Sequence, residues 1–214
     1  SRLVCVSNRI TLPRKTAAPG GLAVGVLAAM REKGGLWFGW SGDLNADPAP
    51  QPEVVTRERI DYATIDLTQT QYDRYYRGFC NTTLWPLFHY LTDRFRYDHE
   101  WHAGYRDVNR WFAERLVPLL RPDDRLWIHD YHLIPLAREL RSLGVTQRIG
   151  LFLHIPFPHI EVLRLLPPYE DLIRNLTHYD LVGFQTAADE RSFHAGLGGV
   201  FPQGAPPVKT GSFP

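Results

Sequence analysis

Cysteine is scarce in this 214-residue sequence, which contains only Cys5 and Cys80. Two cysteines so far apart form neither a CxxC motif nor a disulfide framework, and this excludes disulfide-rich scaffolds and zinc ribbons. We expect both to be buried free thiols, as in proteins of a reducing compartment. The expected location is therefore cytoplasmic.

The sequence also lacks an excess of charge of either sign, and it lacks long apolar runs. Lys and Arg number 24 against 23 Asp and Glu, so there is no basic surplus for nucleic acid or an anionic membrane. No apolar stretch is long enough to span a bilayer, and no signal peptide precedes Leu3. With 44% hydrophobic residues, the chain is expected to form one globular domain that binds neither nucleic acid nor membrane.

The common cofactor, metal and nucleophile motifs are absent as well. The stretch from Gly20 and Gly21 to Gly25 has neither the Lys-Ser/Thr of a P-loop nor GxGxxG spacing. A glycine-rich loop that opens a helix still suits a phosphate or diphosphate, although glycines that merely allow a turn explain it equally well. His129 and His132 have no third ligand at convincing spacing, and no GxSxG elbow occurs. No metal and no cofactor are predicted.

Apolar runs and helical periodicity alternate along the chain. Buried strands are predicted at Leu3–Ser7, Leu36–Trp40, Leu126–Ile128, Ile149–Leu153 and Leu181–Phe184, and a hairpin at Val54–Leu67. Helices are predicted at Leu22–Met30, Trp101–Leu119, Leu133–Leu143, Ile160–Leu176 with a break at Pro167-Pro168, and Ala187–Leu197. This alternation predicts an α/β, Rossmann-like fold with a mainly parallel, twisted sheet and helices on both faces.

Polar side chains follow the strands of the predicted sheet. They are Asn8 and Arg9, then His129 to His132 with Asp130 among them, then His154, and finally Gln185 and Thr186. Each alone has an ordinary structural explanation, such as a helix cap for the Asp. Ligands of open parallel sheets bind beyond the carboxyl ends of the strands, so four such turns predict a cleft at this edge.

The run from Tyr76 to Tyr90 is unusually dense in aromatic rings, amides, hydroxyls and an imidazole. Gly78 and Pro86 interrupt it, and neither strand alternation nor a helical stripe fits it well. One interpretation, which composition favours, is an aromatic mini-core under a long loop. The other is a wall that holds a polar ligand such as a sugar.

Seven segments, in order from Leu3 to about Phe193, closely resemble the trehalose-6-phosphate synthase family. They are Ser7–Arg9, Gly20–Gly25, Trp37–Gly42, Leu84–Tyr90, Trp127–Leu133, Leu153–Pro158 and Asp180–Thr186. Members of that family are retaining glycosyltransferases of the GT-B type, in which two Rossmann-like domains face a cleft. They transfer glucose from UDP-glucose to glucose 6-phosphate.

The resemblance implies roles for individual residues. Arg9, Tyr76, Trp85 and Asp130 would bind the acceptor, glucose 6-phosphate. An Arg fork matches phosphate geometry, an indole gives a pyranose a flat face, and a carboxylate accepts sugar hydroxyls. On the donor side, the resemblance implies Gly20 and Gly21 beside the diphosphate and His154 against the transferred glucose. Asp130 and His154 would be the catalytic positions, and His132 would support them.

The resemblance also implies a mechanism and a domain organisation. Retention would proceed without a covalent intermediate, with the leaving phosphate oxygen taking the acceptor's proton; Asp130 as general base is the rival account. Residues 1–214 would form the amino-terminal, acceptor-side domain, and Lys209–Pro214 would lead into an absent carboxyl-terminal nucleotide-sugar domain. A homo-oligomer is a further expectation.

Three alternatives remain open on the sequence. One is a related transferase, such as a glucosylglycerol-phosphate synthase or a pseudo-glycosyltransferase. Another is a non-catalytic regulatory module that binds a sugar phosphate. The third is a generic Rossmann cofactor binder, against which the absent dinucleotide fingerprint argues.

Overall fold

The computed structural model of the chain describes residues 1–10, 27 and 30–213. The predicted glycine-rich loop with Gly20 and Gly21, and most of the predicted helix Leu22–Met30, lie outside these residues. Within the described part, the chain forms one sheet of eight strands in the order β3-β4-β2-β1-β5-β6-β7-β8. The strands are β1 Leu3–Arg9, β2 Gly35–Leu44, β3 Glu53–Arg57, β4 Ile60–Leu67, β5 Arg125–His129, β6 Arg148–Phe152, β7 Leu181–Phe184 and β8 Lys209–Ser212.

Every neighbouring pair of strands is parallel except β3 and β4, which form the predicted hairpin. The α/β fold with a mainly parallel sheet is thereby confirmed. The predicted strand at Leu36–Trp40 extends to Leu44, and the segment after Lys209 forms an edge strand as expected.

The strand order reverses at β1. From β1 the chain proceeds outward through β2 to the hairpin, then returns to place β5 on the other side of β1 and continues outward to β8. Such a reversal leaves a crevice beyond the carboxyl ends of the two central strands, because the connections leave them in opposite directions. Arg9 ends β1 and His129 ends β5, so the crevice opens where the polar turns were predicted to meet.

Both faces of the sheet bury apolar side chains. In β1, Val4 and Val6 belong to the main core, whereas the intervening Cys5 belongs to a second, smaller core with Met30. Side chains of successive strand residues point to opposite faces, so the two cores lie on opposite sides of the sheet. Cys5 and Cys80 are both buried and free, as predicted, and burial raises the pKa of each thiol.

The predicted helices from Trp101 onward all form, most of them with shorter bounds and the last one with a longer one, and two short helices that were not predicted precede them. The helices are α1 Gln69–Gln71, α2 Trp85–Phe88, α3 His99–Leu116, α4 Leu136–Ser142, α5 Ile160–Leu163, α6 Tyr169–Leu176 and α7 Ala187–Val200. The break at Pro167-Pro168 separates α5 from α6. Single 3₁₀ turns at Val117–Leu119 and Tyr131–Leu133 continue α3 and precede α4.

The aromatic run is helical, and the interpretation of it as an irregular loop is wrong. A π-helix spans Tyr72–Leu84 and passes directly into α2, which begins at Trp85 with Pro86 in its first turn. Bonds from residue i to i+5 wind the chain more loosely than an α-helix, so neither a period of 3.6 nor one of 2 describes its apolar positions. Phe79, Cys80 and Leu84 are buried in the core.

Two glycines let the π-helix lie close against α3. A Cβ atom on Gly78 would stand 2.5 Å from the Trp101 ring, and one on Gly104 would stand 2.4 Å from the Arg74 Cβ. Phe112 of the same α3 packs edge-on against Phe38 of β2, with ring centroids 5.6 Å apart. The π-helix is therefore fixed to the sheet through α3, and this determines where Tyr76 stands.

Candidate active site

Arg9 forms one end of the candidate site. Its guanidinium lies 5.7 Å from the centre of the Trp40 ring and rests on Gly42, where a Cβ atom would stand 2.5 Å from Arg9 Nε. The side chain is exposed, and among the described residues no carboxylate lies within ion-pair distance of it. An arginine held by an aromatic ring and free of a carboxylate can bind an anion with both of its terminal nitrogens.

Tyr76 stands beside this arginine. Its ring packs against the same Trp40, at 5.8 Å, and lies nearly parallel to the His132 ring at 5.9 Å. His132 in turn contacts the Tyr131 ring at 4.0 Å, and burial lowers the pKa of His132 to about 3. A neutral imidazole ring therefore packs against the Tyr76 ring.

Asp130 lies at the centre of the site in an unusual backbone conformation. Its φ of 74° and ψ of 169° fall in a region that glycine normally occupies, at a typical cost of about 1–3 kcal/mol. The conformation directs Oδ1 to the backbone N–H groups of Tyr131 and His154, at 3.0 and 3.3 Å. Oδ2 accepts no hydrogen bond from a described residue, so it is available to a ligand.

His154 follows β6 and contacts a second histidine. Its Nε2 lies 3.0 Å from Nδ1 of His129, and the two rings are stacked at 5.3 Å. Phe152 packs edge-on against His154 at 4.7 Å, and Trp127 covers His129 at 4.3 Å. The His154 ring is thus fixed on two sides.

Trp85 begins α2 and remains 40% exposed, which is unusual for so large an apolar side chain. Its ring lies 4.1 Å from that of His89, whose Nδ1 is 2.7 Å from the Trp85 carbonyl oxygen. A positive charge on His89 would lower the pKa of Asp130.

Burial sets the protonation states within the site. It raises the pKa of Asp130 to about 6, against the backbone hydrogen bonds that favour the carboxylate. It lowers the pKa of His129 to about 3 and also lowers the pKa of His154. Near neutral pH the site therefore combines a cation at Arg9, a mainly ionised Asp130 and neutral imidazoles at His129, His132 and His154.

The structure brings together five of the seven residues predicted for the site. Arg9, Tyr76, Trp85, Asp130 and His154 all lie at the carboxyl-terminal edge of the sheet, whereas Gly20 and Gly21 lie outside the described residues. No observation tests the individual roles, which stay predictions.

Three participants were not assigned a role from the sequence. They are Trp40, which supports both Arg9 and Tyr76, the buried His129, and His89. The signal for Trp40 was present in the segment Trp37–Gly42, because Trp40 ends the predicted strand Leu36–Trp40. Within the described residues there is no group of three or more His, Cys, Asp or Glu that could hold a metal ion, and no helix long and apolar enough to cross a membrane.

Comparison with known proteins identifies the family of this chain. The sequence model of glycosyltransferase family 20 matches residues 4–199. The chain belongs to glycosyltransferase family 20. Trehalose-6-phosphate synthase of Klebsiella pneumoniae is 52% identical over 194 residues, which are 90% of this chain and 41% of that protein.

Two solved structures are similar to this family 20 chain. An α,α-trehalose-phosphate synthase (UDP-forming) from Burkholderia xenovorans, in complex with glucose-6-phosphate, is 52% identical with a TM-score of 0.86 over 92% of this chain and 43% of that one. A structure named trehalose-6-phosphate from E. coli, bound with UDP-2-fluoro glucose, is 48% identical with a TM-score of 0.87 over 94% and 43%. The chain thus spans less than half the length of these relatives.

Proposed function

We propose that this chain is the acceptor-side domain of a retaining trehalose-6-phosphate synthase with a GT-B fold. In that enzyme, glucose would pass from UDP-glucose to glucose 6-phosphate to give α,α-trehalose 6-phosphate. One observation carries the proposal: Arg9, held against the Trp40 ring, and the Asp130 carboxylate follow neighbouring parallel strands at the same edge of the sheet, where a sugar phosphate needs a cation and a hydroxyl acceptor. The relatives with bound glucose-6-phosphate and a UDP-glucose analogue support this choice of substrates.

The phosphate end is assigned to Arg9 and Tyr76. The guanidinium offers paired N–H donors to phosphate oxygens, and the Tyr76 hydroxyl, which bonds to no described residue, can donate to the same group. Trp40 supports both side chains, so their spacing is fixed before a ligand arrives. This preorganisation favours a tetrahedral anion over an uncharged sugar.

The sugar end is assigned to Asp130 and Trp85. Oδ2 of Asp130 faces no described donor and can accept a sugar hydroxyl, while the exposed indole gives the pyranose ring a flat apolar surface. The account in which Asp130 only binds the acceptor suits its geometry. Because its pKa of about 6 also suits a general base, the rival role remains a hypothesis.

His154 and the glycine-rich loop are assigned to the donor. His154 would bind a hydroxyl of the transferred glucose, and Gly20 and Gly21 would stand beside the diphosphate. A second domain would hold the nucleotide and stabilise the departing diphosphate, so the protein would contribute positioning and electrostatics rather than a nucleophile. A cytoplasmic location and a homo-oligomer belong to the same proposal.

The assignment of the phosphate end can be tested on residues 1–214 by NMR titration with glucose 6-phosphate and with glucose. The wild type should prefer glucose 6-phosphate. Arg9→Ala should reduce this preference by about 10- to 150-fold, because a hydrogen bond to a charged group contributes about 1.5–3 kcal/mol.

Arg110→Ala is the matched control, since Arg110 is an exposed arginine paired with Glu139 on α4. It should leave the preference unchanged. Equal losses for both ligands in Arg9→Ala, or no preference in the wild type, would contradict the assignment. If the chain binds glucose 6-phosphate yet forms no disaccharide phosphate when the carboxyl-terminal half is supplied, that result would favour the regulatory module instead.

A further inference from the structure

The contact between His129 and His154 has a definite proton arrangement. Both imidazoles are neutral near pH 7, because burial lowers both pKa values. A hydrogen bond of 3.0 Å between two neutral imidazole nitrogens contains one proton, carried either by His129 Nδ1 or by His154 Nε2. These two arrangements place opposite hydrogen-bonding groups on the outer nitrogen of His154.

The second nitrogen of His129 decides between the arrangements. Nε2 of His129 is buried without a partner, and the side chain is 1% exposed. If His154 donated, His129 would carry its own proton on Nε2 and bury an unpaired N–H donor. If His129 donates, Nε2 is a bare acceptor. Orphaned buried N–H groups are rarer than under-satisfied acceptors, so the second arrangement is favoured.

The outer nitrogen of His154 then becomes a donor. With Nε2 accepting from His129, the proton of the neutral His154 ring must sit on Nδ1. This atom has no partner among the described residues and is not among the buried ones, so a ligand in the cleft can reach it. The backbone N–H of His154 is meanwhile held by Asp130 Oδ1, which fixes the residue from the other side.

We propose that His129 is a positioning residue: it donates from Nδ1 to His154 Nε2, fixes the Nδ1–H tautomer of His154, and so makes His154 an N–H donor to a sugar oxygen in the cleft. The identity of that oxygen, a hydroxyl of the transferred glucose, rests on the proposed function. The tautomer itself does not.

The test is long-range ¹H–¹⁵N NMR of ¹⁵N-labelled residues 1–214 at pH 7.5, which distinguishes protonated from bare imidazole nitrogens. The expected wild-type spectrum has His154 protonated at Nδ1 and bare at Nε2. In His129→Phe, which keeps a ring but has no donor, the bare Nε2 of His154 should lose the upfield ¹⁵N shift that accepting a hydrogen bond causes. In His129→Asn, whose amide N–H replaces Nδ1–H, the Nδ1–H form should persist.

A wild-type His154 protonated at Nε2 would overturn the proposal, as would a ¹⁵N shift of His154 Nε2 that His129→Phe leaves unchanged. If His129→Phe fails to fold, His129→Gln serves instead, because its amide occupies the place of Nε2 and cannot reach His154. Glucose 6-phosphate preference, measured on the same samples, tests the proposed function separately. A wild-type chain with the expected tautomer but no such preference would contradict the function and leave this inference standing.

Discussion

Replacing Asp130 by Asn should stabilise the protein near neutral pH while weakening sugar binding. Burial raises the pKa of Asp130 from 3.8 to about 6, so the folded state disfavours the carboxylate. A shift of about two units corresponds to about 3 kcal/mol when the group is fully ionised. Asn has the same shape and keeps an oxygen for the N–H groups of Tyr131 and His154. We therefore expect Asp130→Asn to be more stable by about 1–3 kcal/mol at pH 7.5.

The pH dependence gives the sign of the effect. A carboxyl whose pKa is raised on folding contributes stability below its unfolded pKa and loses it as pH rises through the folded value. The advantage of Asp130→Asn should thus be small near pH 4, grow between pH 4 and 7, and level off above. The buried His129 and His132 have pKa values near 3, so the free energy of unfolding falls as pH drops below about 6.5. This effect is the same in variant and wild type, so the difference between their free energies of unfolding isolates Asp130.

Urea unfolding of both proteins between pH 4.5 and 8 measures this difference. Asp124→Asn is the matched control with the opposite sign: burial opposes ionisation of Asp124, but its hydrogen bonds with Arg2 and the Arg121 N–H lower its pKa. That variant should lose about 1.5–3 kcal/mol at pH 7.5. An Asp130→Asn variant less stable than wild type at pH 7.5, or a difference independent of pH, would refute the reasoning.

Three further predictions concern the glycines and the domain as a whole. Gly42→Ala should reduce the preference for glucose 6-phosphate over glucose, because the new Cβ would displace the Arg9 guanidinium; NMR titration checks this, and an unchanged preference would contradict it. Gly78→Ala should destabilise the fold by about 1–3 kcal/mol in urea unfolding because its Cβ meets Trp101, whereas Gly198→Ala, with nothing within 4 Å, should be neutral or stabilising. Residues 1–214 alone should release no UDP from UDP-glucose and glucose 6-phosphate, but should do so when the carboxyl-terminal half is supplied separately; disaccharide phosphate formed by the chain alone would defeat this expectation.

The sheet could be predicted from the sequence because its strands are short apolar runs with polar ends. The strand after Leu3, the hairpin and the units ending near His129 and Phe184 all have this form. The order of the strands could not be predicted from such local patterns, because it depends on which side of β1 each later unit packs. The break at Pro167-Pro168 was predictable since proline stops a helix locally.

The site could be predicted only in part. Arg9, Asp130 and His154 follow strands, and strand ends are visible in sequence. The contact between Tyr76 and His132 could not be predicted from the sequence, because it depends on a π-helix whose period matches no common pattern. The positive φ of Asp130 was also hidden, since an Asp before a helical turn looks like an ordinary cap.

The close packing of Gly78 against Trp101 affects the position of Tyr76 from the opposite face of the π-helix, the face that packs on α3. Tyr76 lies on the π-helix only two residues before Gly78, so a larger side chain at position 78 would push the helix away from Trp101 and shift the phenol relative to Arg9. A residue that never touches a ligand would then decide how large an acceptor fits. Selection for acceptors of other sizes can therefore act on the hydrophobic rear of this helix and leave every ligand-binding side chain unchanged.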